Sequence, residues 1–223
     1  MIYHFQGHGR IFKDAFIKWL KEQSLSLPDN LTVITCESRP GKGLLIKQLE
    51  ENNIPYINKV PANIEWDNRL KIRYILEALQ EVTTEYVLIL DNADVLLDSN
   101  NMDIVDKFLS TGKQLIFNAS VNNHPECSVG LVEDIDERGC FKYLNAGCCI
   151  GTAEFAKQFY SKAQEYLVIE NPQNSEQLIV RHTYENFREE VDIDSSCNIF
   201  QTMGGTVVYK DLENNWVIAC RKF

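Results

Sequence analysis

The chain has 223 residues, 44% of them hydrophobic, and its 22 Lys plus Arg against 32 Asp plus Glu give a formal net charge of −10. This length and apolar content fit one packed domain, 1–223, and exclude a disordered chain. The acidic balance excludes general nucleic-acid binding, which rewards basic surfaces, but leaves room for a local cationic pocket holding one diphosphate.

The first residues, MIYHFQGHGRIFKDAF, lack the charged segment and long apolar run of a signal peptide. No stretch approaches ~20 apolar residues, so no membrane span is expected. Seven cysteines, with Cys148 and Cys149 adjacent and no C-x-x-C spacing, suit reduced thiols in a cytoplasmic compartment better than disulfides or a zinc site.

The first clear strand is LTVITC (Leu31–Cys36), followed by the turn signal SRPGKG. LLIKQLEENN has helical apolar spacing, and IPYINKV reads as a second strand. In RLKIRYILEALQEV the apolar residues Leu70, Ile72, Ile75, Leu76 and Leu79 suit a helix packed on a sheet. EYVLILD is almost wholly apolar, the mark of a strand buried on both faces. IVDKFLSTG is a helix with Gly112 as its stop, and KQLIFNAS is another strand. Residues 121–142 are polar and irregular. Two amphipathic segments follow, AEFAKQFYSKAQEY and SEQLIVRHTYENF, and then the short strand candidates EVDIDSS, TVVYKD and WVIACRKF. The alternation predicts an α/β fold with one largely parallel sheet.

The apolar strand of VLILDNADVLL stops at Asp91, and Asp94 comes three residues later. In open α/β sheets ligands bind beyond the carboxyl ends of the strands. Two carboxylates on that edge suit Mg²⁺ or Mn²⁺, with phosphate oxygens completing the shell. The plainer reading is a turn, where Asp and Asn are common. A strand ending in Asp also resembles the Walker B element of P-loop NTPases, and RPGKGLL lies upstream. The cradle fails in detail: Cys36 stands where its first Gly belongs, and Gly43 where its Ser or Thr belongs. Arg39-Pro40-Gly41 is therefore read as a turn.

WDNRLKIRYILEAL, the D-x-x-D after the strand, LIFNAS, FKYLNAGCCIGTAEFAKQFY, SEQLIV and VDIDSSCNIFQTM stand in an order that resembles the glycosyltransferase domain of procollagen lysyl hydroxylases and their relatives. The resemblance spans residues 31–203. It implies a GT-A fold with a single mixed, mostly parallel central sheet flanked by helices. It also implies a UDP-sugar donor, Mn²⁺ with Mg²⁺ as the alternative ion, and a carbohydrate or protein acceptor. Asp91 and Asp94 match the family's metal-binding acids, with Asn92 between them at the donor. Lys71 matches a lysine near the nucleotide. Asn145, Ala146 and Gly147 match small residues that let the backbone approach the donor sugar. Glu176 and Gln177 match an acid–Gln pair near the reacting sugar, and Asp194 the Asp of a strand end.

Other roles compete with these. A lysine opening a helix is commonly a solvated charge, Asn-Ala-Gly can be a turn, Glu176 and Gln177 can be first-turn residues favouring the helix dipole, and Asp194 can cap a strand end. For a base that deprotonates the acceptor, Glu176 is the first candidate and Asp194 the second.

The family's third ligand is a histidine in an H-x-N-G-like motif after the last strand, yet no histidine follows His182 here. YHFQG, near the start, has the required character. The resemblance thus implies a circularly permuted order, with His4 as the ligand, His8 as the fallback and Gly7 beside the donor. Chain ends that lie close together make such an order inexpensive. A nucleotidyltransferase, releasing pyrophosphate, and a silent sugar-nucleotide-binding module are the competing classes.

Overall fold

The computed structural model describes residues 1–6, 24–36, 43–59, 67–98, 101–132, 141–168, 174–203, 206–210 and 216–220, with side chains through residue 203. The turn at Arg39-Pro40-Gly41, Gly7, His8 and the chain end at 221–223 lie outside these residues.

The central sheet has six strands. In chain order they are β2 (Leu31–Cys36), β3 (Tyr56–Lys59), β4 (Tyr86–Leu90), β6 (Leu115–Ser120), β7 (Tyr143–Thr152) and β8 (Val191–Ile193). Their order across the sheet is β3-β2-β4-β7-β6-β8. The β2–β3, β2–β4 and β6–β8 pairs are parallel, whereas β7 runs antiparallel to both β4 and β6. One strand therefore opposes the other five, and the expected mixed, mostly parallel α/β sheet is what forms.

All five residues of β4 are buried, as an apolar run at the sheet centre requires. Its side chains alternate between two cores because successive Cβ atoms leave opposite faces. Val87 and Ile89 pack with Ile72, Ile75 and Leu79 of α2 (Leu70–Leu79). The same core takes Phe155 and Phe159 of α4 (Ala153–Glu165) and Ile179 and Val180 of α5 (Glu176–Tyr184). Leu88 and Leu90 face the other way. They meet Leu45 and Leu49 of α1 (Leu44–Glu51) and Val105 and Phe108 of α3 (Ile104–Leu109). Helix α4 is capped by the Thr152 hydroxyl, which accepts from the Phe155 N–H. After α3 the chain turns at Gly112 with φ 68°, the left-handed conformation expected of that glycine.

A second sheet of three strands sits beside the first, in the order β5-β1-β9. Strand β1 (Ile2–His4) is its centre. It is antiparallel to β5 (Val95–Leu97) and parallel to β9 (Phe200–Thr202). Strands β10 (Thr206–Lys210) and β11 (Trp216–Cys220) form a separate antiparallel pair.

The sequence pattern does not reveal β5, β7 or β9. In β7 the text LNAGCCIG mixes small, polar and apolar residues and shows no alternation, because both faces of that strand are covered. Strands β5 and β9 have only three residues each, too few for a period to register.

Candidate active site

Strand β4 ends at Leu90, and the Asp91 N–H continues the ladder by donating to the Gly147 carbonyl at 2.7 Å. The turn over residues 92–94 then feeds β5. Because β1 lies against β5 with His4 opposite Val95, the register carries the imidazole to the turn. The Phe5 N–H donates to the Asp94 carbonyl at 2.8 Å and locks that register. His4 Nε2 lies 3.6 Å from Asp91 Oδ2 and 3.5 Å from Asp94 Oδ1. One ligand atom from each of the three residues falls within 4.8 Å of the others.

Two carboxylate oxygens and an imidazole nitrogen are a donor set that suits a divalent first-row cation or Mg²⁺. Their spacing leaves room for one ion between them, so the residues fit such a group. Burial works against a charge on His4. The hydrogen bond to Asp94, and the charges of Asp94 and Asp91, outweigh burial and the opposing Lys71, and hold its pKa above the usual 6.5.

Lys71 enters from the first turn of α2. It is buried, donates to Asp91 Oδ1 and lies 3.4 Å from Glu176 Oε1. Burial alone would lower its pKa, yet the negative charges of Asp91 and Glu176 raise it, so the ammonium stays charged. Lys71 thus joins two acids that are far apart in the sequence around one edge of the sheet. The Asp91 side chain remains 31% exposed on this edge.

Gly147 sits directly behind the triad. A Cβ there would lie 2.7 Å from Asp91 Oδ2 and would also collide with the His4 ring. The Asn-Ala-Gly block thus packs its glycine against His4 and Asp91. Asn145 accepts the Gly147 N–H at 2.9 Å and donates to Gln6 Oε1 at 2.8 Å. Gln177 accepts from the Ala146 N–H at 3.2 Å and donates to the His124 carbonyl. These contacts tie the block to α5 and to the polar loop that begins at Val121.

Two expected site residues have different work. Asn92 is buried. Its side-chain oxygen accepts the Ile46 N–H at 3.0 Å and its carbonyl the Leu45 N–H at 3.1 Å, so it satisfies the first turn of α1. Asp194 is also buried. Its two oxygens accept the N–H groups of Asn198, Ile199 and Phe200, each at 2.8 Å. A carboxylate committed to three backbone donors shapes its own loop and is poorly placed to take an acceptor proton.

Three residues here carry no sequence assignment. Gln6 falls within YHFQG as its amide. Asn118 interrupts the apolar run LIFNAS and reaches His4. Arg181 is wholly buried in α5. It donates to the Leu144 carbonyl, Asn123 Oδ1 and the Pro125 carbonyl, pinning the polar loop. A polar residue inside an apolar strand was a legible signal for Asn118. Nothing in SEQLIVRHTYENF marks Arg181.

An α/β sheet with one reversed strand, and an acid-rich edge at the carboxyl end of its central strand, is a build that sugar-nucleotide transferases and nucleotidyltransferases share. The sequence model of the family described as "PLOD GT domain" matches residues 65–217, more than half of the chain. The chain belongs to that family, the glycosyltransferase domain of the procollagen lysyl hydroxylases. The matched span holds Lys71, Asp91, Asp94, residues 145–147, Glu176, Gln177 and Asp194, and leaves out His4.

Among solved structures, the chain is similar to A197 from STIV, with 12% identity and a TM-score of 0.44 over 86% of this chain and 95% of that one. It is also similar to a putative glucose-1-phosphate thymidylyltransferase from Bacillus anthracis in complex with a sucrose, with 10% identity and a TM-score of 0.41 over 72% of this chain and 66% of that one. Likeness at this level carries no weight for function, which rests on the family match and the site. No curated protein sequence matches the chain. None of the described helices is long and apolar enough to cross a membrane.

Proposed function

We propose that the chain transfers a hexose from a UDP-sugar to an acceptor hydroxyl, using Mn²⁺, or Mg²⁺ in its place, held by Asp91, Asp94 and His4. The observation that carries this reading is the meeting of those three side chains beyond the carboxyl end of β4. When bound, the cation neutralises charge on the departing diphosphate. Lys71 keeps its positive charge beside Asp91, where it orients that carboxylate and adds to the field that favours an anionic leaving group. Gly147 lets the backbone come close to the donor side of the site. Asn145 and Gln177 hold that backbone in place. Glu176, beside Lys71, is the first choice to accept the proton of the acceptor hydroxyl. The loop from Val121, with His124, Pro125 and Glu126, forms the acceptor side, as variable surface loops commonly do.

The permuted order belongs to the same proposal. His4 reaches the site from the beginning of the chain, on a strand laid between β5 and β9. In the family the corresponding histidine follows the last strand.

Calorimetric titration with UDP in the presence and absence of Mn²⁺ tests the reading. Binding that requires Mn²⁺, and slow release of UDP from a UDP-sugar without acceptor, are expected. Equal binding of UDP, ADP and GDP with Mn²⁺ would contradict the UDP assignment. Release of pyrophosphate from a nucleoside triphosphate and a sugar phosphate would replace it with a nucleotidyltransferase, and tight UDP binding without any turnover with a silent binding module.

A further inference from the structure

The imidazole of His4 has two nitrogens in two different surroundings. Nε2 faces the carboxylates of Asp91 and Asp94. Nδ1 lies 3.3 Å from Nδ2 of Asn118. The Asn118 side chain is buried, at 1% exposure, and its Oδ1 has no hydrogen-bond partner. A buried carboxamide oxygen without a donor is uncommon and costly.

Asn118 also stands where the sheet is irregular. Strand β6 pairs with β7 in regular register through Phe117, which faces Cys149, and then Asn118 faces Asn145. Strand β7 accommodates residues 146–148 at this point, and these turn toward β4 and Asp91. Bulges commonly re-aim a side chain beside a site. This one sets the Asn118 amide against the inner edge of the imidazole, while Gly147 lies against the ring near Asp91.

A histidine that ligates a cation through Nε2 is neutral and carries its proton on Nδ1. That buried N–H needs an acceptor, and metal-ligating histidines nearly always have one. An amide nitrogen facing Nδ1 would set one donor against another. The two ends of a carboxamide have nearly the same size, so a half-turn about χ2 exchanges Nδ2 and Oδ1. The turn brings the unpartnered oxygen to the Nδ1–H.

We propose that Asn118 is a positioning residue of the cation site: its Oδ1 accepts the Nδ1–H of His4 and holds the tautomer whose Nε2 lone pair faces Asp91 and Asp94. This rests on His4 being a ligand, and it gives Asn118 no contact with the cation or the donor. The amide fixes both the ring orientation and the proton position. Its loss weakens cation binding even with all three ligands in place.

The test measures Mn²⁺ affinity, from the electron paramagnetic resonance of free Mn²⁺, in the parent, Asn118→Leu, Asn118→Asp and His4→Ala. Asn118→Leu removes the acceptor at similar volume and is expected to lose ~10–100-fold in affinity, the range for partners of metal ligands. Asn118→Asp retains acceptor oxygens at that place and is expected to bind Mn²⁺ at least as tightly as the parent. A merely structural asparagine would make the buried Asp as harmful as Leu, which would overturn the proposal. Parent-like affinity in Asn118→Leu would overturn it too, while a loss in His4→Ala in the same series would leave the ligand reading intact. Parent-like affinity in His4→Ala removes the ligand reading, and the proposal with it. A readout on the unmutated protein does not depend on any variant folding: nitrogen-15 shifts of His4 in the diamagnetic Zn²⁺-loaded form. The proton is expected on Nδ1, and a proton found on Nε2 would overturn the assignment.

Discussion

Two strands of this sheet end in an aspartate, and the two aspartates do opposite things. Strand β4 runs into Asp91 and β8 into Asp194, and in both the aspartate N–H continues the ladder, to Gly147 and to Phe117. The difference lies in the residues that follow. After Asp194 the chain folds back tightly, with Cys197 at φ 53°, and turns three N–H groups onto the carboxylate. After Asp91 the chain opens into β5, and the α1 N–H groups that might have been satisfied by a carboxylate are taken by Asn92 instead. Asp91 therefore keeps its oxygens for Lys71 and for whatever lies between it, Asp94 and His4. A strand-end acid keeps its oxygens available for a ligand site when other groups satisfy the local backbone.

Asp91→Ala or Asp94→Ala should break the comparison most sharply. Either is expected to cost Mn²⁺-dependent UDP affinity more than ~100-fold, beyond the range for residues that only support a ligand. Asp91→Ala should also lower the urea unfolding midpoint, because the buried Lys71 ammonium loses a carboxylate partner, so affinity is the readout that separates the two aspartates. Asp194→Ala should cost stability and leave that affinity alone. It strands three backbone donors, at roughly 1–3 kcal/mol for each that stays buried and unpaired. Urea unfolding should therefore show a loss of about 2–4 kcal/mol, with the Mn²⁺ affinity of the remaining folded protein unchanged.

Gly147→Ala is expected to fall between these. Its methyl group pushes on Asp91 Oδ2 and the His4 ring. Overpacking of this kind costs about 1–3 kcal/mol, read by thermal unfolding, and should be accompanied by weaker Mn²⁺ binding. The smallest expected effect is in pH. The folded pKa of His4 is raised above 6.5, so its charged form stabilises the metal-free fold. That contribution is complete below the unfolded value near 6.5 and is lost as pH rises through the folded value. Metal-free protein should lose stability across that window, and His4→Ala should flatten the slope.

Much of the scaffold was legible because its elements carry a clear period. The α2 pattern and the unbroken apolar β4 set the elements that carry Lys71 and Asp91, and the family resemblance singled out Lys71 on its helix. For Asp194 the sequence left a catalytic acid and a strand-end cap both open, because its partners are backbone groups four to six residues on, which leave no trace in side-chain chemistry. The part Asn92 plays at α1 was hidden for a similar reason: the groups it bonds lie more than forty residues earlier. The register that brings His4 to Asp94 depends on β1 pairing with a three-residue strand, which no periodicity announces. Only the likeness of YHFQG to the family's histidine motif pointed to it. Cys148 and Cys149 are buried among apolar residues, as free thiols. Burial pushes the Cys149 thiol up to about 12, so neither is poised for reaction.

His4, Asp91 and Asp94 are proposed to hold one divalent cation. A crystal structure of the protein with Mn²⁺ and UDP, with the ion located by its anomalous scattering, tests it most directly. The account predicts a single ion with His4 Nε2 and an oxygen of each aspartate at ~2.0–2.4 Å, the range for such ligands. An ion bound by the aspartates and phosphates with the His4 ring turned away, or an ion elsewhere, would contradict it.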